Sequence, residues 1–259
     1  MSFGNAQQEK LSSSPGVCLY SPVTAAFSLV ELAIVMVIIA IIVGAVVSGL
    51  SMKENAEAQA VIIEATGYMD AISNFRDKYR YLPGDHPQPS RFFSSSGATA
   101  GNANNRWDSS TEIDTAWIQL YQSGFISQAI ESDGNASVAT PGTDRPTSRV
   151  SGAGWTFIDT LTQTLPDLST VTAVSVLRHG TQESSPTNDL AQGTLVGKQH
   201  DYIDSKIDVK NTPVSGYYII GWQDTTNFNG CVNSSGAYTY KTDSDIRCTG
   251  NFVTTLQNN

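Results

Sequence analysis

Glu31 is the side chain whose position most needs a chemical reason, because it lies within the almost wholly apolar run from Phe27 to Leu50. A carboxylate in such surroundings costs several kcal/mol unless it is paired or reaches a polar boundary. Charge pairing is therefore the chemistry it offers. A cation on a neighbouring helix would answer it, and low dielectric strengthens that attraction. The alternative is an incidental charge near a membrane interface. Cys231 and Cys248 form a second candidate pair, with sixteen residues between them. In an oxidising compartment they could close a loop worth about 3 kcal/mol. Metal ligation is the poorer reading, since no CxxC or His partner is near them in sequence.

The remaining titratable groups point to no reaction. His86, His179 and His200 have no compact ligand spacing. His200-Asp201 could orient an imidazole as a base, but the expectation is an exposed loop pair. There is no GxSxG elbow, P-loop or dinucleotide fingerprint, so no catalytic residue and no enzyme activity is assigned. Asp224, Asp243 and Asp245 lie among Asn and Thr residues near the C-terminal cysteines. Oxygen-rich loops of this kind can hold calcium, yet no EF-hand spacing is present. They are read as solvated turn acids, with no metal ligand assigned.

Composition sets the frame for these residues. The chain has 259 residues and a formal charge of −9, long enough for a sizeable core. No basic stripe is available to replace phosphate counterions, so nucleic acid is not an expected partner. Arg76, Lys78 and Arg80 form the one local basic cluster, read as a helix end complementing the macrodipole. As a helix, Phe27 to Leu50 would span roughly 36 Å, enough to cross a bilayer core. A secretory signal peptide would place basic residues directly before the run, where Pro22 to Ala26 carry no charge. Val47-Ser48-Gly49 is the one plausible cleavage site after it.

Ala26-Phe27-Ser28-Leu29-Val30-Glu31-Leu32 and its apolar continuation resemble the signal of type IV pilins and type II secretion pseudopilins. The resemblance implies cleavage between Ala26 and Phe27 by a prepilin peptidase and N-methylation of Phe27. Glu31 then becomes the fifth residue of the mature chain and the assembly carboxylate. Cleavage removes Cys18 and leaves Cys231 and Cys248 as an even pair, suited to a disulfide. The family usually has Gly where this chain has Ala26, and its leader is usually more basic than one carrying only Lys10. Ala33, Ala40, Gly44 and Ala45 would permit close helix approach. Implied partners are an inner-membrane platform protein, an assembly ATPase and other pilin-like subunits. The implied location is the bacterial inner membrane, single-pass with a periplasmic head, and then a pilus or pseudopilus. Major pseudopilins also hold calcium in their C-terminal region, which makes calcium the one cofactor worth naming.

The rest of the chain divides accordingly. Residues 1–26 are a leader, 27–50 a transmembrane and assembly helix, 51–81 its amphipathic continuation and 82–259 a globular head with a C-terminal disulfide loop. On the continuation, Ala56, Ala60, Ile63, Gly67, Ile72, Phe75 and Tyr79 make the apolar stripe. Lys53, Glu54, Glu57, Glu64, Asp70, Arg76 and Asp77 are assigned to the opposite face. Leu82-Pro83-Gly84-Asp85 ends the helix. That segment, with Gly101-Asn102-Ala103-Asn104, Ala116 to Leu120 and Gly124-Phe125-Ile126, extends the resemblance. Ser110 is expected to cap a helix from Thr111 to Ser123 with Trp117 as a core anchor, and residues 131–154 read as loop. A second short helix is expected over Thr156–Leu165. Strands are expected at Val171–Leu177, Thr194–Val196, Gly216–Trp222, Ala237–Lys241 and Phe252–Leu256. The expected fold is α+β, a long N-terminal helix packed against an antiparallel β-sheet head. The expected function is a minor pilin or pseudopilin; the alternative is a singly anchored extracytoplasmic binding protein that never polymerises.

Overall fold

A computed structural model describes residues 28–132, 138–164, 170–182, 189–208, 217–221, 231, 237–238 and 248–254. The chain divides into two units between Ser48 and Gly49. Helix α1 (Leu29–Tyr79) starts in the first unit, directly after Ser28. The Val30 N–H donates to Ser28 Oγ at 3.3 Å, and the Leu32 N–H donates to the Ser28 carbonyl at 3.2 Å. Every residue from Leu29 to Leu50 is exposed. Among the described residues, α1 is the one helix long and apolar enough to cross a membrane.

The second unit takes up α1 from Gly49 onward. Its buried positions are Ala58, Val61, Ala65, Ala71, Ile72 and Phe75. This stripe is rotated from the expected one: Ala56, Ile63 and Gly67 are exposed, while Glu54, Glu57 and Glu64 are half-buried. Alanine-rich helices carry little hydrophobic contrast, so the bulky residues of the head choose the face. Tyr68 makes that choice, meeting Trp117 and Trp155 edge-on at 5.2 and 5.6 Å. The helix stops at Tyr79, two residues before the expected end, because Arg80 adopts a left-handed φ of 69°.

Helix α2 (Ser110–Gln122) is capped by Ser109, not Ser110; its Oγ accepts the Glu112 N–H at 3.2 Å. Strands β1 (Gly154–Thr164), β2 (Thr170–Gly180), β3 (Tyr218–Gly221) and β4 (Thr249–Val253) form one antiparallel sheet in the order β1-β2-β4-β3. Between β2 and β3 lies helix α3 (Gly197–Ile207), where no helix was expected.

The helix expected over Thr156–Leu165 is therefore corrected to a strand. Trp155, Thr156, Phe157 and Ile158 are strand formers, and pairing with β2 from Gly154↔Gly180 to Thr164↔Thr170 satisfies their backbone. The expected strands near 171–177, 216–222 and 252–256 correspond to β2, β3 and β4. Thr194–Val196 makes a bridge between Leu195 and Cys248 in place of a strand. Of Ala237–Lys241, only Ala237 and Tyr238 lie among the described residues.

Between α2 and the sheet, Phe157 stacks against Trp107 and Trp117 with centroids 4.2 Å apart in each case. Trp117 is fully buried, a core anchor as expected. The Trp107 indole N–H donates to the Pro83 carbonyl at 2.8 Å, tying the end of α1 to this stack. Gly84 has φ 84°, and a Cβ there would lie 2.1 Å from the Glu112 carbonyl oxygen, so only glycine fits that approach.

Candidate functional site

The segment singled out by sequence begins among the described residues at Ser28. Its backbone N–H donates to Glu31 Oε2 at 3.0 Å. With Ser28 Oγ accepting from Val30, this caps the helix N-terminus. The Glu31 carboxylate thus lies at the positive end of the helix macrodipole, where anionic charge is favoured. Ala26 and Phe27, the expected cleavage and methylation positions, lie outside the described residues.

In the second unit, the acids assigned to a solvated face bind the head. Gln199 Nε2 donates to Glu57 Oε2 at 3.1 Å and to the Glu54 carbonyl at 3.2 Å. Lys198 pairs with Glu54 at 3.6 Å, and the Tyr202 hydroxyl donates to Gln59 at 2.9 Å. Glu64 is the densest node. It accepts from Ser148 Oγ at 2.7 Å, from the Arg149 N–H at 2.9 Å and from the Trp155 indole N–H at 2.9 Å. These bonds fix the rotation of α1 against α3 and the 141–153 loop. Sequence reasoning missed them because helical acids read as solvent-facing until their donors are located.

Ser148 leads on to the histidines. His179 Nε2 lies 3.0 Å from Ser148 Oγ, and His179 Nδ1 lies 3.3 Å from Thr194 Oγ1. Because the Ser148 hydroxyl proton goes to the Glu64 carboxylate, His179 must donate from Nε2 and accept from Thr194 at Nδ1. Donation therefore runs from Thr194 to His179 to Ser148 to Glu64. A serine nucleophile would need its proton aimed at the imidazole, so this chain is a structural relay. Burial first, then the charge of His200, pushes His179 down to about 3.

His200 is not on an exposed loop. It is fully buried on α3, with Nε2 donating to the Cys248 carbonyl at 3.2 Å and Nδ1 accepting from the Tyr218 hydroxyl at 2.5 Å. Burial pushes it down to about 4. One turn later Asp204 is also fully buried, accepting the Tyr238 hydroxyl at 2.7 Å, and burial raises its pKa to about 7. Neither histidine is presented to solvent as a base.

Cys231 and Cys248 are joined in a disulfide. Asp224, Asp243 and Asp245 lie outside the described residues. Among the described residues no group of three or more His, Cys, Asp or Glu is placed to hold a metal ion. Near the end of α1, Asp85 accepts backbone N–H groups from Asn104 and Asn105 at 3.3 and 2.7 Å. Those bonds lock Pro83–Asp85 onto the Gly101–Asn105 turn, which accounts for the spacing of that sequence pattern. A long N-terminal apolar helix with a small antiparallel sheet is compatible with a pilin-like layout. No family model, curated protein or solved structure matches the chain.

Proposed function

We propose that this chain is a pilin-like subunit, processed before Phe27 and polymerised through the first half of α1. The observation that carries the proposal is the pairing of Glu31 with a helix surface exposed from Leu29 to Leu50. Each large apolar side chain removed from water gains roughly 1.5–3 kcal/mol, so this surface demands lipid or other helices. For a plain anchor a carboxylate in its first turn serves only as a local cap, by accepting the Ser28 N–H. A filament gives it a further use, because each processed subunit carries a terminal amine that needs a compensating charge in its neighbour, and the pair also sets axial register. On this reading the partners are a prepilin peptidase, an inner-membrane platform protein, an assembly ATPase and other pilin-like subunits. The head, held to the helix by the Glu54–Glu64 bonds, is the part displayed on the filament surface.

Intact mass and N-terminal analysis of protein purified from its native membrane tests the proposal. A chain beginning at N-methylated Phe27 is the expected result. A chain beginning at Met1, or near Gly49 after signal-peptide cleavage, overturns it.

A further inference from the structure

Ile63 and Gly67, like Glu64 and Tyr68, are one helical turn apart, so these residues share a face of α1. With residues 125–128 and 147–149 that face lines a groove of about 470 Å³, a volume in the range of small-molecule sites. All of these residues belong to the second unit, so the groove is independent of the filament reading. Gly67 opens it. A Cβ at Gly67 would meet nothing within 4 Å, so no close packing calls for glycine. Glycine nevertheless costs a helix interior about 1 kcal/mol relative to alanine. The missing side chain is room in the groove.

The polar groups of the groove divide into those already engaged and those still open. Both Glu64 oxygens are engaged, by Ser148, Arg149 and Trp155, and the buried His179 holds Ser148 in turn. What remains is a set of donors. The Tyr68 hydroxyl has no hydrogen bond among the described residues; burial and the nearby Glu64 charge raise its pKa, so it keeps its proton. Gln128 Oε1 accepts the Thr147 N–H at 3.1 Å, and its Nε2 has no partner among the described residues. The Arg149 side chain is 72% exposed, with Nε 3.9 Å from Glu64. Ile63, Phe125 and Ile126 add apolar surface beside these donors.

We propose that this groove binds a neutral saccharide, with the C–H face of a sugar ring on Phe125 and Ile63 and its hydroxyls on Tyr68, Gln128 and Arg149. Glu64 beside Arg149 offsets the one positive charge, so an anion gains little there. An extended peptide brings as many N–H donors as carbonyls, and with Glu64 and Ser148 Oγ engaged few acceptors are left for them. A sugar hydroxyl serves as either partner. The bonds that orient α1 thus also hold one wall of the groove in place before a ligand arrives, which lowers the cost of binding.

The test uses the full chain in phosphatidylcholine nanodiscs, which avoids sugar-based detergents. The probes are maltose, lactose, cellobiose and N,N′-diacetylchitobiose, and binding is read by saturation-transfer NMR. At least one sugar should bind. Gly67→Leu fills the groove and should weaken that binding about tenfold or more, while the melting temperature of the head holds or rises. Tyr68→Phe keeps the ring between Trp117 and Trp155 and removes one donor, for a loss of about fivefold. No binding by any of these sugars overturns the proposal, as does binding that both variants leave unchanged. Tighter binding of a capped oligoalanine peptide than of every sugar also overturns it, and assigns the groove to peptide.

Discussion

The two parts of α1 use opposite chemistry. From Leu29 to Leu50 it is apolar and exposed on every side, with Leu29 itself 87% exposed. From Glu54 to Phe75 a narrow stripe of Ala58, Val61, Ala65, Ile72 and Phe75 is buried, bordered by hydrogen-bonded acids. Apolarity alone would have named the first part as core, and charge would have named Glu64 as surface. Both inferences invert once partners are counted. A uniformly apolar helix must find its burial outside the chain, whereas an amphipathic one with weak contrast is oriented by its polar bonds. On the proposed reading the comparison also separates two jobs: the first part associates, and the second fixes what is displayed.

The largest expected effect sets the core of the second unit against the apolar surface of the first. Trp117→Ala empties the stack of Trp107, Phe157 and Trp117 and should cost the head about 3–5 kcal/mol, measured by thermal melting of the full chain in detergent. Ile38→Ala removes an equally apolar side chain that is 50% exposed, and should leave the head transition where it was. Equal shifts from the two variants would erase the contrast between the two parts.

The next effect separates the half-buried, hydrogen-bonded acids of α1 from exposed ones. Glu64→Ala leaves the Ser148 hydroxyl, the Arg149 N–H and the Trp155 indole N–H without their acceptor, a loss of about 2–3 kcal/mol. Asp70→Ala, on the exposed face of the same helix, should stay within about 0.5 kcal/mol. Urea unfolding of both variants reads the difference. If Glu64→Ala matches Asp70→Ala, the polar bonds do not orient the helix.

How much of this was legible in sequence follows from how local each signal is. The apolar run and the end of α1 before Pro83 depend on near neighbours, and both could be read. The α+β order and the burial of Trp117 could be read for the same reason. Strand β1 could not, because Phe157 and Leu161 are four residues apart and fit a helix as well as a strand. Only pairing with β2 decides the matter. The N-cap of helix α3 is Val196, whose side chain accepts nothing; Gln199 accepts the Val196 N–H at 3.1 Å, a weak signal without a capping serine or aspartate. The bonds to Glu64 come from residues 84 to 91 positions away, beyond any local pattern. The cysteine pair lay between these cases: its spacing permitted the disulfide without requiring it.

A comparable effect uses pH to find the titrating groups that govern the stability of the head. Asp204 has a pKa near 7 when folded, above its ordinary 3.8, because burial penalises the charged form. Between those values the folded head binds more protons than the unfolded chain, so this group adds stability as pH falls from about 7 to about 4. His179 and His200 act in the opposite direction. Their pKa values, about 3 and about 4, lie below the ordinary 6.5, so the unfolded chain takes up their protons first and stability falls with pH. The wild-type profile is the sum of opposing slopes, and a variant is needed to separate them. Asp204→Asn keeps an acceptor for the Tyr238 hydroxyl and cannot ionise. Relative to wild type it should be favoured at pH 8, and that advantage should shrink by about 2–3 kcal/mol by pH 5. A flat difference for Asp204→Asn would show that the acid on α3 is ionised at no cost.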